Sequence, residues 1–213
     1  MVLQQLQSML ARLYAVPNDY AVADYLVTDR THAGLRQRHA TDEQVLVNEA
    51  EDGLRIGVYV AEEVLQRLAN DNPIDALSDT NIADYCTALE GVSHFQYLTW
   101  RAARSDSVSL LELELQADVD KYVAALCLFT AQCNGRFPKT LHERLFHRVR
   151  YHADLDEESS LRYRAANRYA ARYCRRLDER YLTCRRTHPE AWLQELRSFY
   201  RLTHAQKLRR VVA

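Results

Sequence analysis

Glycine is scarce in this chain: 5 residues among 213, where the usual share of about 7% would give roughly 15. Gly34, Gly53, Gly57, Gly91 and Gly135 never come close enough together to wrap backbone amides around a phosphate. Neither the dinucleotide fingerprint nor the P-loop can therefore be assembled. With only 4 prolines as well, the chain lacks the turn residues on which an all-β sandwich depends, and helix becomes the default. Cysteine is present five times (Cys86, Cys127, Cys133, Cys174, Cys184) but never as Cys-x-x-Cys. That leaves none of the paired spacing that structural zinc sites use. Most of these cysteines lie among apolar neighbours in helical patterns and read as small hydrophobes in a reducing compartment. No apolar run reaches the roughly 18–20 residues of a membrane span. From Met1 to Pro17 no cationic stretch precedes the apolar residues. Leu3, Leu6, Leu10 and Leu13 instead form the stripe of an amphipathic helix. The expectation is a cytoplasmic protein with no membrane association.

Lysine is also scarce, at Lys121, Lys139 and Lys207 only, so nearly all of the 28 basic residues are arginines. The net charge of −1 hides a split. Residues 1–135 carry 9 basic and 20 acidic residues, and residues 136–213 carry 19 basic and 9 acidic. Such asymmetry points to a basic surface that meets nucleic acid or an acidic partner, or to two halves that meet each other.

The clearest β signal is Gln44–Asn48, then Glu51-Asp52-Gly53, then Leu54–Val60. Asp-Gly between β-branched runs marks a hairpin, and Leu54, Ile56, Val58 and Val60 share one face at period two, with Arg55 and Tyr59 on the other. Tyr25–Thr28 reads as a short third strand. From Ala61 onward the period is helical. A short helix ends near Asn70–Pro73, and a long one runs from Asp79 to Arg104 with Ile82, Tyr85, Leu89 and Val92 inward. Ser109 and Glu112 form a capping box for a helix reaching Asn134, where Asn134-Gly135 and Pro138 stop it. Further helices cover 141–152, 157–186 and 189 onward, with Pro189 at a first turn. The fold class is α+β and predominantly helical: a small hairpin-containing part over residues 1–72, followed by a four- to five-helix bundle over 73–213.

The strongest surface feature belongs to the 157–186 helix. Tyr163, Ala166, Ala170, Cys174, Leu177, Tyr181 and Cys184 fall on one stripe, and Arg164, Arg168, Arg172, Arg175, Arg176 and Arg186 lie opposite it. Like charges four apart repel, so such a ridge calls for anions. These are nucleic-acid phosphates, with Tyr169 and Tyr173 stacking on the bases, an acidic protein, or this chain's own acids at 112–120 and 154–158. The leading expectation is a non-catalytic interaction protein that uses Arg164, Arg168, Arg172, Arg175 and Arg176 to bind an acidic protein surface or its own dimer mate, with no cofactor and no metal. Nucleic-acid binding through the same ridge is the alternative.

A third reading centres on Glu90 and His94, spaced i, i+4 with Tyr97 and Arg101 on the same side. A carboxylate and an imidazole so placed can act as an acid/base pair or ligate a metal. Gly91 beside them would let another segment approach closely. The spacing Glu-x-x-x-His departs from the Glu-x-x-His of di-metal bundles. His142, His147 and His152, five residues apart, rotate away from one another on a single helix. His32, Arg36, Arg38 and His39 form a basic spot in the acidic half. Arg197 and His204 stand at a spacing that resembles the arginine–histidine pair of the all-helical HEPN ribonucleases. That resemblance covers eight residues and implicates these two alone.

Overall fold

A computed structural model describes residues 1–31, 41–50, 53–135, 138, 140–149, 155–181 and 189–212. The basic spot at His32, Arg36, Arg38 and His39 lies outside them, as do His152, Cys184, Arg186 and the residues Glu51 and Asp52 of the hairpin turn.

The helices are α1 (Val2–Tyr14), α2 (Glu62–Asn70), α3 (Ile82–Ala102), α4 (Leu110–Gln132), α5 (Leu141–Phe146), α6 (Glu157–Tyr181), α7 (Pro189–Arg201) and α8 (His204–Val212). Strands β1 (Leu26–Val27), β2 (Glu43–Ala50) and β3 (Gly53–Val60) form one sheet in the order β1-β3-β2. Strand β1 runs parallel to β3 and β2 antiparallel to it, with Glu43 opposite Val60 and Val45 opposite Val58. The chain is thus predominantly helical α+β. Among the described residues no helix is long and apolar enough to cross a membrane.

Local chemistry explains several element ends. Ser109 Oγ accepts from the Glu112 amide at 3.2 Å, capping α4. Past Gln132, Asn134 and Gly135 take positive φ values of 51° and 80°, and the Gly135 amide closes on Thr130 O at 2.7 Å. The segment from Pro189 is two helices rather than one. Its break falls at Leu202–Thr203, where Gln206 Oε1 accepts from the Thr203 amide and restarts the chain as α8.

One apolar core runs from Leu3 of α1 to Val211 of α8 and includes Val58, Tyr85, Phe95, Tyr122, Cys174 and Phe199. The hairpin does not alternate as its sequence suggests. Leu54 is exposed whereas Tyr59 is buried with Val58 and Val60, because only the β1-paired end of β3 is covered. Tyr173 is also a correction: it is not available to stack on bases, since it is buried with its ring stacked 3.8 Å from Phe199.

Candidate metal centre

Helices α3 and α4 are antiparallel neighbours joined by seven residues, and the start of β2 lies across them. Together with α5 and the first turns of α6 they wall a cavity of about 1120 Å³. Its acidic floor is built from paired turns. Glu90 and His94 project from α3, and Glu114 and Asp118 from the facing stretch of α4 at the same i, i+4 spacing. Glu43 enters from β2. Gly91 permits this: a methyl group there would sit 2.9 Å from Val58 Cγ1 and 3.1 Å from Glu43 Cγ. The close approach expected at Gly91 is therefore that of the hairpin.

His94 is the centre of the cluster and 97% of its surface is covered, its exposure being 3%. Its Nδ1 lies 3.3 Å from Glu43 Oε1. Its Nε2 faces Glu114 Oε2 at 3.6 Å, ion-pair range but too long for a hydrogen bond, so this buried nitrogen has no hydrogen-bond partner. One donor atom each from Glu90, His94 and Glu114 lie within 4.8 Å of one another. Lys121 Nζ stands beside them, 3.0 Å from Glu90 Oε2 and 2.7 Å from Asp118 Oδ1.

Burial pushes the Glu43 carboxyl up to about 7, overcoming the pull of His94. Burial also works against the His94 cation, but Glu43 and Glu114 together hold its pKa well above the usual value. Without a metal, the imidazole therefore keeps a proton between two carboxylates. Burial lifts Asp118, against Lys121. Burial pushes the Cys86 thiol on the same wall up to about 12.

One imidazole and two carboxylates within reach of a point, with the imidazole's far nitrogen held by a third carboxylate, is the pattern of a histidine oriented for a metal. At about 2.1 Å per bond, donor atoms up to 4.8 Å apart must draw closer together to meet on one ion. Three protein ligands would leave a coordination position open to the cavity.

The Glu90–His94 pair is thus brought into a pocket, with Glu43, Glu114 and Asp118 added to it. The sequence held a signal for two of these: Glu114-x-x-x-Asp118 repeats the spacing of Glu90-x-x-x-His94 on the next helix. The acids at 112–120 do not lie free to face the arginine ridge. Glu112, Glu114 and Asp120 are buried, next to Arg101, His94 and Tyr14 respectively. Of the ridge, Arg164, Arg168, Arg172 and Arg175 are exposed. Arg172 nevertheless donates to Val212 O, and Arg176 donates to Arg210 O and Val211 O, at 2.9–3.1 Å. His142 and His147 come closer than their spacing implies, their rings 5.7 Å apart, because α5 stops at Phe146. Arg197 and His204 have separate partners: Arg197 donates to Leu13 O, and His204 bonds the Ser109 hydroxyl. No family model, curated protein or solved structure matches this chain.

Proposed function

We propose that this protein is a metal-dependent enzyme of hydrolytic type, in which Glu90, His94 and Glu114 hold one divalent ion on the cavity floor. The observation that carries the reading is His94: a buried imidazole with Nδ1 held by Glu43, with Nε2 facing Glu114 but making no hydrogen bond, and with Glu90 in the same cluster. A mixed nitrogen and oxygen set suits Zn²⁺, Fe²⁺ or Mn²⁺. An ion with an open position polarises a substrate oxygen and lowers the pKa of bound water, so hydrolysis is the natural reaction class. Lys121 offsets the charge of Glu90 and Asp118, so that the ion meets a floor not overloaded with negative charge.

Calorimetric titration of chelator-stripped protein with Zn²⁺ and with Mn²⁺ tests this. One ion per chain is expected, with release of the His94 proton. His94→Ala and Glu114→Ala should abolish binding, and Glu43→Gln should weaken it about 10–100-fold. A wild type that takes up no ion, or alanine variants that bind as the wild type does, would overturn the reading. Engagement of an acidic protein, a dimer mate or nucleic acid by α6 stands second. It rests on Arg168 and Arg175, exposed on α6, since Arg172 and Arg176 spend donors on α8.

A further inference from the structure

Among the described residues four lysine or arginine side chains line the cavity; three form ion pairs with acids, and the fourth, Arg162, only adds its charge to the Ser159 hydrogen bonds that lower the pKa of Asp156. Arg144 pairs with Asp79, Arg148 with Glu143, and Lys121 with Glu90 and Asp118. Arg162, near the start of α6, makes no carboxylate ion pair among the described residues. Its Nη2 donates to Ser159 Oγ at 3.2 Å, and its Nε is buried with no acceptor. The guanidinium lies 5.5 Å from the ring centre of Tyr163, which lines the same cavity. A buried N–H without an acceptor, here Nε alone, costs stability, and the rest of the partly exposed guanidinium fork is shaped for an oxyanion. We infer that the cavity binds a phosphate ester, its phosphoryl group held between Arg162 and the metal ion.

This rests on the metal reading, because the ion is the second cation of the pair. A phosphoryl group has three non-bridging oxygens and can present some to the guanidinium and another to the ion at once, which a planar carboxylate cannot do as readily. The organic part has a place as well. Leu110 and Val149 line the cavity yet are 58% and 39% exposed, offering apolar contact at its mouth. Hydrolysis there would form a bond from a water oxygen to phosphorus as the ester P–O bond breaks. One proton of that water would pass to the departing alcohol oxygen, leaving an alcohol and inorganic phosphate.

The test uses the full chain loaded with Zn²⁺, with inorganic phosphate as binding probe and 4-nitrophenyl phosphate as substrate. Phosphate should bind, and Arg162→Leu should weaken it at least tenfold and raise KM similarly while ion stoichiometry stays at one. Arg180→Leu, exposed near the end of α6 and away from the cavity lining, should leave both unchanged. Ion-loaded wild type that neither binds phosphate nor cleaves the ester overturns the inference, as does an Arg162→Leu protein with wild-type phosphate affinity. Should the chain take up no ion, the metal reading falls by itself. Phosphate binding to the ion-free chain that is lost in Arg162→Leu would then keep the anion site, and its absence would end that too.

Discussion

Gly91 shows how one small residue sets the geometry of the candidate centre. Helix α3 meets the hairpin there, and the missing side chain lets Val58 and Glu43 come within contact of the helix backbone. Gly91→Ala would force a β-branched, fully buried Val58 and the Glu43 stem outward. Overpacking of this kind costs about 1–3 kcal/mol, to be read from urea denaturation. The same shift withdraws Glu43 from His94, so ion affinity in the calorimeter should fall about tenfold or more. A variant with unchanged stability and unchanged affinity would mean that the hairpin does not position His94. The residues carrying this argument were unequally visible. Glu90, His94 and Gly91 lie within five positions and could be read together. Glu43 stands 51 residues away from His94, and no periodicity links a strand end to a helix face.

Helix α4 explains why the acidic stretch reads wrongly as surface. Glu112, Gln116 and Asp120 form one i, i+4 stripe, and Glu114, Asp118 and Lys121 form another on the opposite side. Apolar residues such as Leu115, Val119 and Val123 fill the space between. A helix polar on two sides looks solvent-facing, yet both stripes are covered: one by the cavity and hairpin, the other by Tyr97, Tyr14 and Lys207 of α8. The arginines too act at the level of elements. Arg197 and Arg201 donate to carbonyls at the end of α1, at Leu13 and Ala15, as Arg172 and Arg176 do at the end of α8. Helix C-termini leave carbonyls unpaired and carry partial negative charge, which guanidinium forks satisfy. Arg176→Ala should therefore lower stability by about 1–2 kcal/mol by freeing α8. Arg175→Ala, exposed one position away, should change it by less than about 0.5 kcal/mol. Thermal denaturation of the two variants compares them directly, and equal melting temperatures would contradict the capping role.

At the scale of the molecule, α8 is tied down by a buried cation. Lys207 is fully covered, its Nζ donating to Gln116 Oε1 at 2.6 Å and Tyr97 Oη at 2.9 Å, with Glu112 and Asp120 near and Arg101 opposing. Burial drags its pKa down to about 7, although the two carboxylates resist. Burial raises Asp120 to about 6 despite donors from Ser93, Tyr14 and Gln116. The unfolded lysine titrates near 10.4. Between pH 7 and about 10 the unfolded chain thus holds a proton that the folded one has released, and stability rises with pH across that window. Asp120 acts lower: between about pH 4 and 6 the folded chain holds the extra proton, so its contribution falls as pH rises. His94, raised in the folded state, opposes Lys207 in the alkaline window, and comparison with Lys207→Met removes that common part. Urea midpoints measured at pH 7 and 9 should give a difference that is more positive for the wild type than for Lys207→Met. Equal differences would show that the folded lysine keeps its proton.

The charge split between the halves has a related answer. Part of the basic excess is spent on helix ends, by Arg172, Arg176, Arg197 and Arg201, and several of the acidic residues lie inside, around His94 and Lys207. Composition and period alone determined that the chain is helical with one hairpin, because scarce glycine and a 3.6-residue apolar repeat act within a few residues of each other. They also placed Glu90 and His94 on one face and the cap at Ser109. Only the tertiary structure decided which charged residues are buried, which helix ends the arginines reach, and that Glu43, Glu114 and Arg162 face one cavity with His94. Those relations depend on segments far apart in the chain, and burial changes the proton affinity and partners of a side chain without altering the local pattern that a sequence displays.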